Sequence, residues 1–334
     1  MVDAIAQLSA LGLNADEARE TSELIKEPWY YKVEVAPDLW TSGQRYPNIA
    51  ITRELLDRVD LSGASLLDIG TMEGVVPIIA SAKGAKRVVA YDRLAYCRPR
   101  VAALQGIYGY KYEHVTGLTL TEFRAQRPET FDVVVFSGVF YHMFDPFGGL
   151  AIASSFVKPG GLLIFESSAV VLPNCALHFN KAGRYFRGTN YFQPTPDALD
   201  SFFRFHGLAP LDAEYITRRE LPEPLIRIAV ACRAKGKPVA LEGDTWVMQR
   251  FDDDSDDSDD NTDISEFYMN RRNSHADVPD LVKYTACDRP KAIEGYTETL
   301  HVARFVEHYP AFEVRPEMME LSLKLRAPNH AEGI

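Results

Sequence analysis

The chain has 334 residues, 46% hydrophobic and 25% charged, a balance that supplies one large globular core plus a smaller unit or extension and excludes disordered and fibrous classes. Its net charge of −11 is mostly local, because seven aspartates crowd between Asp252 and Asp260 and leave about −4 for the rest. An acidic chain with no Lys/Arg run lacks the electrostatic footprint of a protein that grips nucleic acid by its phosphates.

Four cysteines, Cys97, Cys175, Cys232 and Cys287, lie far apart with no Cys-x-x-Cys pair and no flanking histidine. Reduced thiols and no metal site are expected. No stretch reaches about 18 apolar residues and no leader-like apolar segment stands near the start, so a cytoplasmic location without membrane attachment is expected.

In chain order, Ala4 to Lys26 carries Leu8, Leu11, Leu13 and Ile25 among charges and reads as one or two short amphipathic helices. An aromatic, turn-rich patch follows from Trp29 to Trp40, either a roof over a ligand or a staple onto the core. Ile51–Val59 has helical spacing. Residues 1–60 are thus expected to form a helical lid segment.

From Ser65 the pattern becomes short apolar runs separated by helical segments, the signature of βαβ units and a parallel sheet. Strands are predicted at Ser65–Ile69, Arg87–Tyr91, Tyr112–Val115, Phe131–Phe136 and Leu162–Glu166. Helices are predicted at Gly74–Ala82, Arg93–Ile107, Leu120–Arg124 and Pro146–Val157, the last opened by Asp145-Pro146 and stopped by Pro159-Gly160-Gly161. Thr195-Pro196 opens another helix that Gly207 stops. Strands near Ala213–Arg218 and Leu225–Arg233 would pair antiparallel at the edge. The expected fold is α/β, a doubly wound Rossmann-like mixed sheet over residues 61–235. Residues 236–334 hold the aspartate tract, read as a solvated loop, and an extension expected to act as a cap or oligomer contact.

The chemistry concentrates in Leu66-Leu67-Asp68-Ile69-Gly70-Thr71-Met72-Glu73-Gly74, a buried strand ending in an acid, a turn and a helix start. Open α/β sheets bind ligands at the carboxyl ends of their strands, near the topological switch. A dinucleotide site would need glycines where Met72 and Val75 stand. Asp68 and Glu73 would repel a pyrophosphate but suit a ligand with an ammonium and a sulfonium. Asp92, about 20 residues on at the end of the second strand, is placed to accept ribose hydroxyls.

These residues, with Asp92-Arg93 and the run Phe131 to His142 followed by Asp145-Pro146, resemble class I S-adenosylmethionine (SAM)-dependent methyltransferases. Within that class they are most similar to the branch containing the transfer-RNA wobble-uridine carboxymethyltransferases and related small-molecule methyltransferases. The resemblance implies SAM as cofactor. It implies that Asp68, Gly70, Thr71 and Gly74 meet its methionine portion, with Glu73 near the ammonium. Asp92 would hold the ribose, Arg93 flank the adenine, and Ser137 and Gly138 lie beside the sulfonium. Met72 departs from the glycine frequent in the class, and Thr116-Gly117-Leu118-Thr119 lacks the acid that often reaches the adenine amine.

His142 is a candidate general base, against the reading that it shapes the pocket by bonding a carbonyl. Tyr141 borders the cofactor or packs. Asn190, Tyr191, Arg184 and His178 are candidates for the substrate-side wall. Displacement at a sulfonium needs alignment and exclusion of water more than catalytic side chains, so the motifs specify the cofactor and not the acceptor. A small-molecule methyltransferase, of specialised metabolism, is the leading expectation. The others are a transfer-RNA acceptor, cyclisation of SAM itself with release of methylthioadenosine, a non-catalytic SAM-binding protein and, least favoured, an NAD-dependent oxidoreductase.

Overall fold

The computed structural model describes residues 4–43, 47–172, 175–181, 184–185, 190–219, 225–235 and 278–285. The chain opens with two helices, α1 (Ala4–Ala10) and α2 (Ala15–Leu24). The second is fixed by a capping box in which Asn14 and Glu17 each satisfy the other's backbone amide. A two-stranded ribbon of β1 (Glu34–Ala36) and β2 (Leu39–Trp40) leads into α3 (Pro47–Asp57).

The core elements then alternate: β3 (Ser65–Ile69), α4 (Val75–Ala82), β4 (Arg87–Asp92), α5 (Arg98–Tyr108), β5 (Glu113–Thr116), α6 (Leu120–Gln126), β6 (Phe131–Ser137), α7 (Pro146–Ser155) and β7 (Val157–Val170). A second ribbon, β8 (Leu177–Phe179) with β9 (Phe192–Pro194), precedes α8 (Pro196–Phe205), β10 (Leu208–Arg219) and β11 (Leu225–Ala234). The caps are those the sequence offers. Asp145 accepts from the Gly148 amide at 2.8 Å, with Pro146 as the first helical residue of α7, and Thr195 and Pro196 do the same for α8.

Seven strands form one sheet in the order β10-β11-β7-β6-β3-β4-β5. β3 to β7 run parallel and β10 and β11 antiparallel. The chain moves outward from β3 to β5 and returns to β6 on the other side of β3, so the topological switch lies between β3 and β6. The central strands are buried on both faces, which explains their nearly continuous apolar runs. One face packs on α3, α4 and the N-terminal helices. The other packs on α6, α7 and α8 around Phe123, Phe156, Phe165 and Phe203.

β7 differs from expectation. It begins at Val157 and runs through Pro159-Gly160-Gly161, so these residues enter a strand and Phe156 closes the preceding helix. Gly160, at φ +77°, lets a neighbouring backbone come close: its carbonyl accepts from the Leu281 amide at 3.0 Å. Leu281 belongs to the segment 278–285, which bonds Asp60 and Arg58 backbone groups through Lys283 and Thr285 and takes the Arg233 guanidinium on the Val282 carbonyl at 2.6 Å. This part of the C-terminal region therefore sits at the amino ends of the parallel strands, opposite the end where a ligand is expected. The aspartate tract and the rest of the expected cap lie outside the described residues. Among the described residues no helix is long and apolar enough to cross a membrane and no acidic, histidine or cysteine group has metal-site geometry.

Candidate active site

After Ile69 the chain turns sharply. Gly70, Met72 and Gly74 all adopt positive φ, at +86°, +48° and +81°. A side chain on Gly70 would collide with Val139, from the turn after β6, so only glycine lets these two strand tips approach. Met72 holds a left-handed conformation uncommon for a residue with a side chain, the kind of local strain that collects at ligand sites. The turn is stitched to the tip of β4: the Gly70 and Thr71 amides donate to the Tyr91 carbonyl at 2.8 and 3.1 Å. The Met72 amide donates to Asp92 Oδ2 at 2.8 Å, while Asp92 Oδ1 accepts from Leu94 at 2.8 Å. Each Asp92 oxygen keeps a further lone pair for a ligand.

The electrostatics are those of a cation site. Asp68 is buried, its Oδ2 has no hydrogen-bond partner, and burial, opposed by the Thr71 side chain and reinforced by the Asp92 charge, pushes its carboxyl up to about 7. Burial also raises Asp92 above the ordinary carboxylate range, opposed by its two amide donors. No cation contributes to either shift. A buried carboxyl oxygen left without a donor is costly, and a bound ammonium or sulfonium would relieve that cost.

Glu73 is buried too, with both oxygens engaged. They accept the Tyr30 and Tyr31 amides at 2.7 and 2.8 Å, and the Arg100 guanidinium stands 3.8 Å away. The aromatic patch is thereby fastened over the turn. Tyr31 is fully buried among charged groups of the site: burial raises its phenol first, and Tyr30, Asp68, Glu166 and Tyr141 follow. Thr41 locks the same segment by donating to the Tyr31 carbonyl at 2.7 Å and accepting from the Val33 amide at 2.8 Å.

On the other side of the turn, the Gly138 amide donates to the Glu166 carbonyl at 3.1 Å, and Ser137 Oγ lies 3.0 Å from Thr52 Oγ1 and 3.4 Å from Glu166 Oε2. Glu166, on β7, makes a two-pronged ion pair with Arg227, on β11, at 2.6 and 2.7 Å. The Arg227 guanidinium also lies over the Tyr141 ring, 4.7 Å from its centroid. Both partners are buried, so each charge requires the other.

Tyr141 is buried and its carbonyl accepts from the Tyr191 amide at 2.8 Å, which ties the β8–β9 ribbon to the turn after β6. His142 is exposed, its ring 4.4 Å from that of Tyr141. Tyr191 stacks on Phe144 at 4.2 Å, and Phe144 is 77% exposed. The Asn190 carbonyl accepts from Asn180 at 2.7 Å. His178 faces Gln193 across the ribbon, and its Nε2 is buried without a partner. Thus Asp68, Gly70, Thr71, Glu73, Gly74, Asp92, Ser137 and Gly138 converge at the tips of β3, β4 and β6. Tyr141, His142, Asn190, Tyr191 and His178 border that cluster on the β7 side. Arg93 is exposed beyond Asp92, and Arg184 is exposed with its guanidinium over Tyr185.

Sequence reading took Tyr31 only as part of the Trp29–Trp40 patch, roof or staple, and missed Thr52, Glu166, Arg227 and Gln193. A signal existed for one pair: Glu166 and Arg227 are lone opposite charges inside otherwise apolar strands, and buried charges of that kind occur paired.

A family model described as a methyltransferase domain matches residues 40–212, just over half of the chain. The chain belongs to this methyltransferase family. The class I SAM-dependent resemblance read from its motifs agrees with this. The methyltransferase is 30% identical over 143 residues to the tRNA U34 carboxymethyltransferase of Methylococcus capsulatus, covering 42% of this chain and 44% of that protein. It is 28% identical over 174 residues to the ubiquinone biosynthesis O-methyltransferase of Pseudomonas fluorescens, covering 49% and 73%. The chain thus spans less than half the length of the first of these relatives. Among solved structures, it superposes on the N-terminal domain of EvdMO1 with SAH bound with a TM-score of 0.48 at 16% identity, covering 66% of this chain and 98% of that one. It also superposes on the Burkholderia thailandensis 1,6-didemethyltoxoflavin-N1-methyltransferase with a TM-score of 0.44 at 19% identity, covering 70% and 92%.

Proposed function

We propose that this methyltransferase transfers the methyl group of SAM to a small-molecule acceptor entering beside Tyr141. The observation that carries the donor site is the pair of buried carboxylates at neighbouring strand tips, Asp68 and Asp92, the latter bonded by the Met72 amide, with no cation contributing to the shift of either. Bound there, SAM supplies an electrophilic methyl on a sulfonium. Asp68 and the turn from Gly70 to Gly74 receive the ammonium end, and Asp92 accepts the ribose hydroxyls. Ser137 and Gly138 would border the sulfur, and Arg93 would flank the adenine. Glu73 adds negative charge and holds Tyr30 and Tyr31 as a roof that excludes water.

His142 would take the proton that the acceptor nitrogen or oxygen gives up on methylation, the methyl being what bound SAM would supply. Tyr141, fixed under the Arg227 guanidinium, positions that acceptor. The exposed Phe144–Tyr191 stack favours a planar or apolar acceptor, and an acidic chain with no Lys/Arg run argues against a phosphate backbone. Incubation of the chain with methyl-labelled SAM and a panel of planar amines, phenols and lactams tests the reading. Label in a panel member supports it; methylthioadenosine formed without any acceptor contradicts it.

A second reading is favoured by the kinship with the tRNA U34 carboxymethyltransferase: an RNA acceptor. Retention of transfer RNA at low salt, lost steeply as salt rises, would support that alternative.

A further inference from the structure

Gln193 lies in the middle of β9 and is 0% exposed, yet neither its carboxamide oxygen nor its nitrogen has a hydrogen-bond partner. A glutamine amide carries two donors and an acceptor, and leaving all of them unmet in an apolar interior is among the costlier things a fold can do. An apolar residue would fill the same space without that cost. Its cross-strand partner is His178, whose Nε2 is also buried and unpartnered. Residues directly opposite on antiparallel strands share a face, so the amide and the imidazole stand side by side. The other face of the ribbon is apolar, with Phe179 against Phe192 at 5.6 Å and Leu177 opposite Pro194.

The ribbon that carries the pair is tied to the turn that carries Tyr141. Two residues before Gln193, the Tyr191 amide bonds the Tyr141 carbonyl, and the Tyr191 carbonyl accepts from the Asn180 amide at 2.7 Å. Ribbon and turn therefore form one backbone-bonded unit. His178 as a residue is only half-buried, while its Nε2 is buried beside the fully buried Gln193. His178 is anchored by an edge-on contact with Tyr185 at 6.3 Å.

We infer that Gln193 and His178 form a polar recognition subsite for the acceptor, and that the group they read presents a hydrogen-bond donor and an acceptor side by side, as an amide or lactam edge does. The amide of Gln193 would exchange two hydrogen bonds with that edge, and His178 Nε2 would make a third. Sites built to bond a substrate polar group reject an analogue that lacks it, because the protein groups are then left unpaired. This inference rests on the small-molecule reading above and names its acceptor class.

The test uses the full chain saturated with S-adenosylhomocysteine. Binding of 2-pyridone and benzamide, which offer both a donor and an acceptor, is compared with that of acetophenone, which only accepts, by ligand-observed NMR. The inference expects the two amides to bind at least about tenfold more tightly than acetophenone. Gln193→Leu should abolish the difference, His178→Phe should reduce it, and the affinity for S-adenosylhomocysteine should not change. Gln193→Leu should also raise the melting temperature of the ligand-free chain, since it replaces an unmet amide with an apolar group of similar size. Equal binding of all three probes, or an amide preference that survives Gln193→Leu, overturns the inference. So does a lower melting temperature in Gln193→Leu, which would mean that the amide is satisfied by structural water. Failure to bind S-adenosylhomocysteine would instead count against the donor-site reading.

Discussion

The backbone amide of Met72 donates to the carboxylate of Asp92 at 2.8 Å, joining the turn after one central strand to the tip of its neighbour. Through this bond, the residues expected to hold the two ends of an adenosyl sulfonium move as one unit. Replacing Asp92 with alanine removes both the ribose acceptor and the Met72 tether. The affinity for S-adenosylhomocysteine should fall by about 10- to 100-fold, and Asp92→Glu should not restore it, because the longer side chain misplaces both oxygens. Titration calorimetry checks this.

Asp68 carries a pH signature. With its carboxyl raised to about 7, it is largely protonated below that value in the free protein, whereas a cationic ligand requires it ionised. SAM affinity should therefore climb between about pH 6 and 8, and binding at pH 7 should release about half a proton. Calorimetry in two buffers of different ionisation enthalpy measures that release. The folded carboxyl lies above its unfolded value, so the free protein should lose stability as pH rises from about 4 to 7. Asp68→Asn should flatten that trend while weakening SAM.

At Gly70 both the space and the backbone exclude a side chain, given φ +86° and the Val139 contact. Gly70→Ala should cost about 1–3 kcal/mol and lower the melting temperature by about 5 °C. It should also weaken SAM binding, since the turn and the β6 tip must separate.

The roof over the turn depends on Glu73, whose two oxygens hold the Tyr30 and Tyr31 amides. Glu73→Gln keeps the shape but turns one acceptor into a donor, which leaves a backbone amide unmet. Hydrogen exchange at Trp29 to Val33 should speed up by about tenfold or more, with little change in helices α6 and α7. Unchanged exchange would mean that the roof is held by its apolar packing alone.

The sheet was legible because its strands are buried on both faces: Leu66-Leu67 and Val133-Val134-Val135 admit no other reading once Gly70 and Pro146 bound them. The turn at Gly70 and the acid at Asp92 were legible for the same reason, since strand tips fix where a ligand can meet backbone. Three features escaped. Pro159-Gly160-Gly161 reads locally as a helix stop, and only the close approach of the Pro279–Leu281 backbone to Gly160 and of the Asp132 carbonyl to Gly161 explains why two glycines enter a strand. The β8–β9 ribbon is too short for its alternation to register, so nothing in the sequence singled out Gln193. The work of Glu73 on Tyr30 and Tyr31 spans more than 40 residues, a separation at which spacing carries no information.

The most direct measurement is a calorimetric titration of the full chain with SAM, S-adenosylhomocysteine and NAD, alongside the Asp68→Asn and Asp92→Ala variants. Saturable binding of the first two, none of NAD, and loss of affinity in both variants is the predicted result. Binding of NAD in their place, or unaltered SAM affinity after both carboxylates are removed, would contradict the claim that these two strand-tip acids hold the methyl donor.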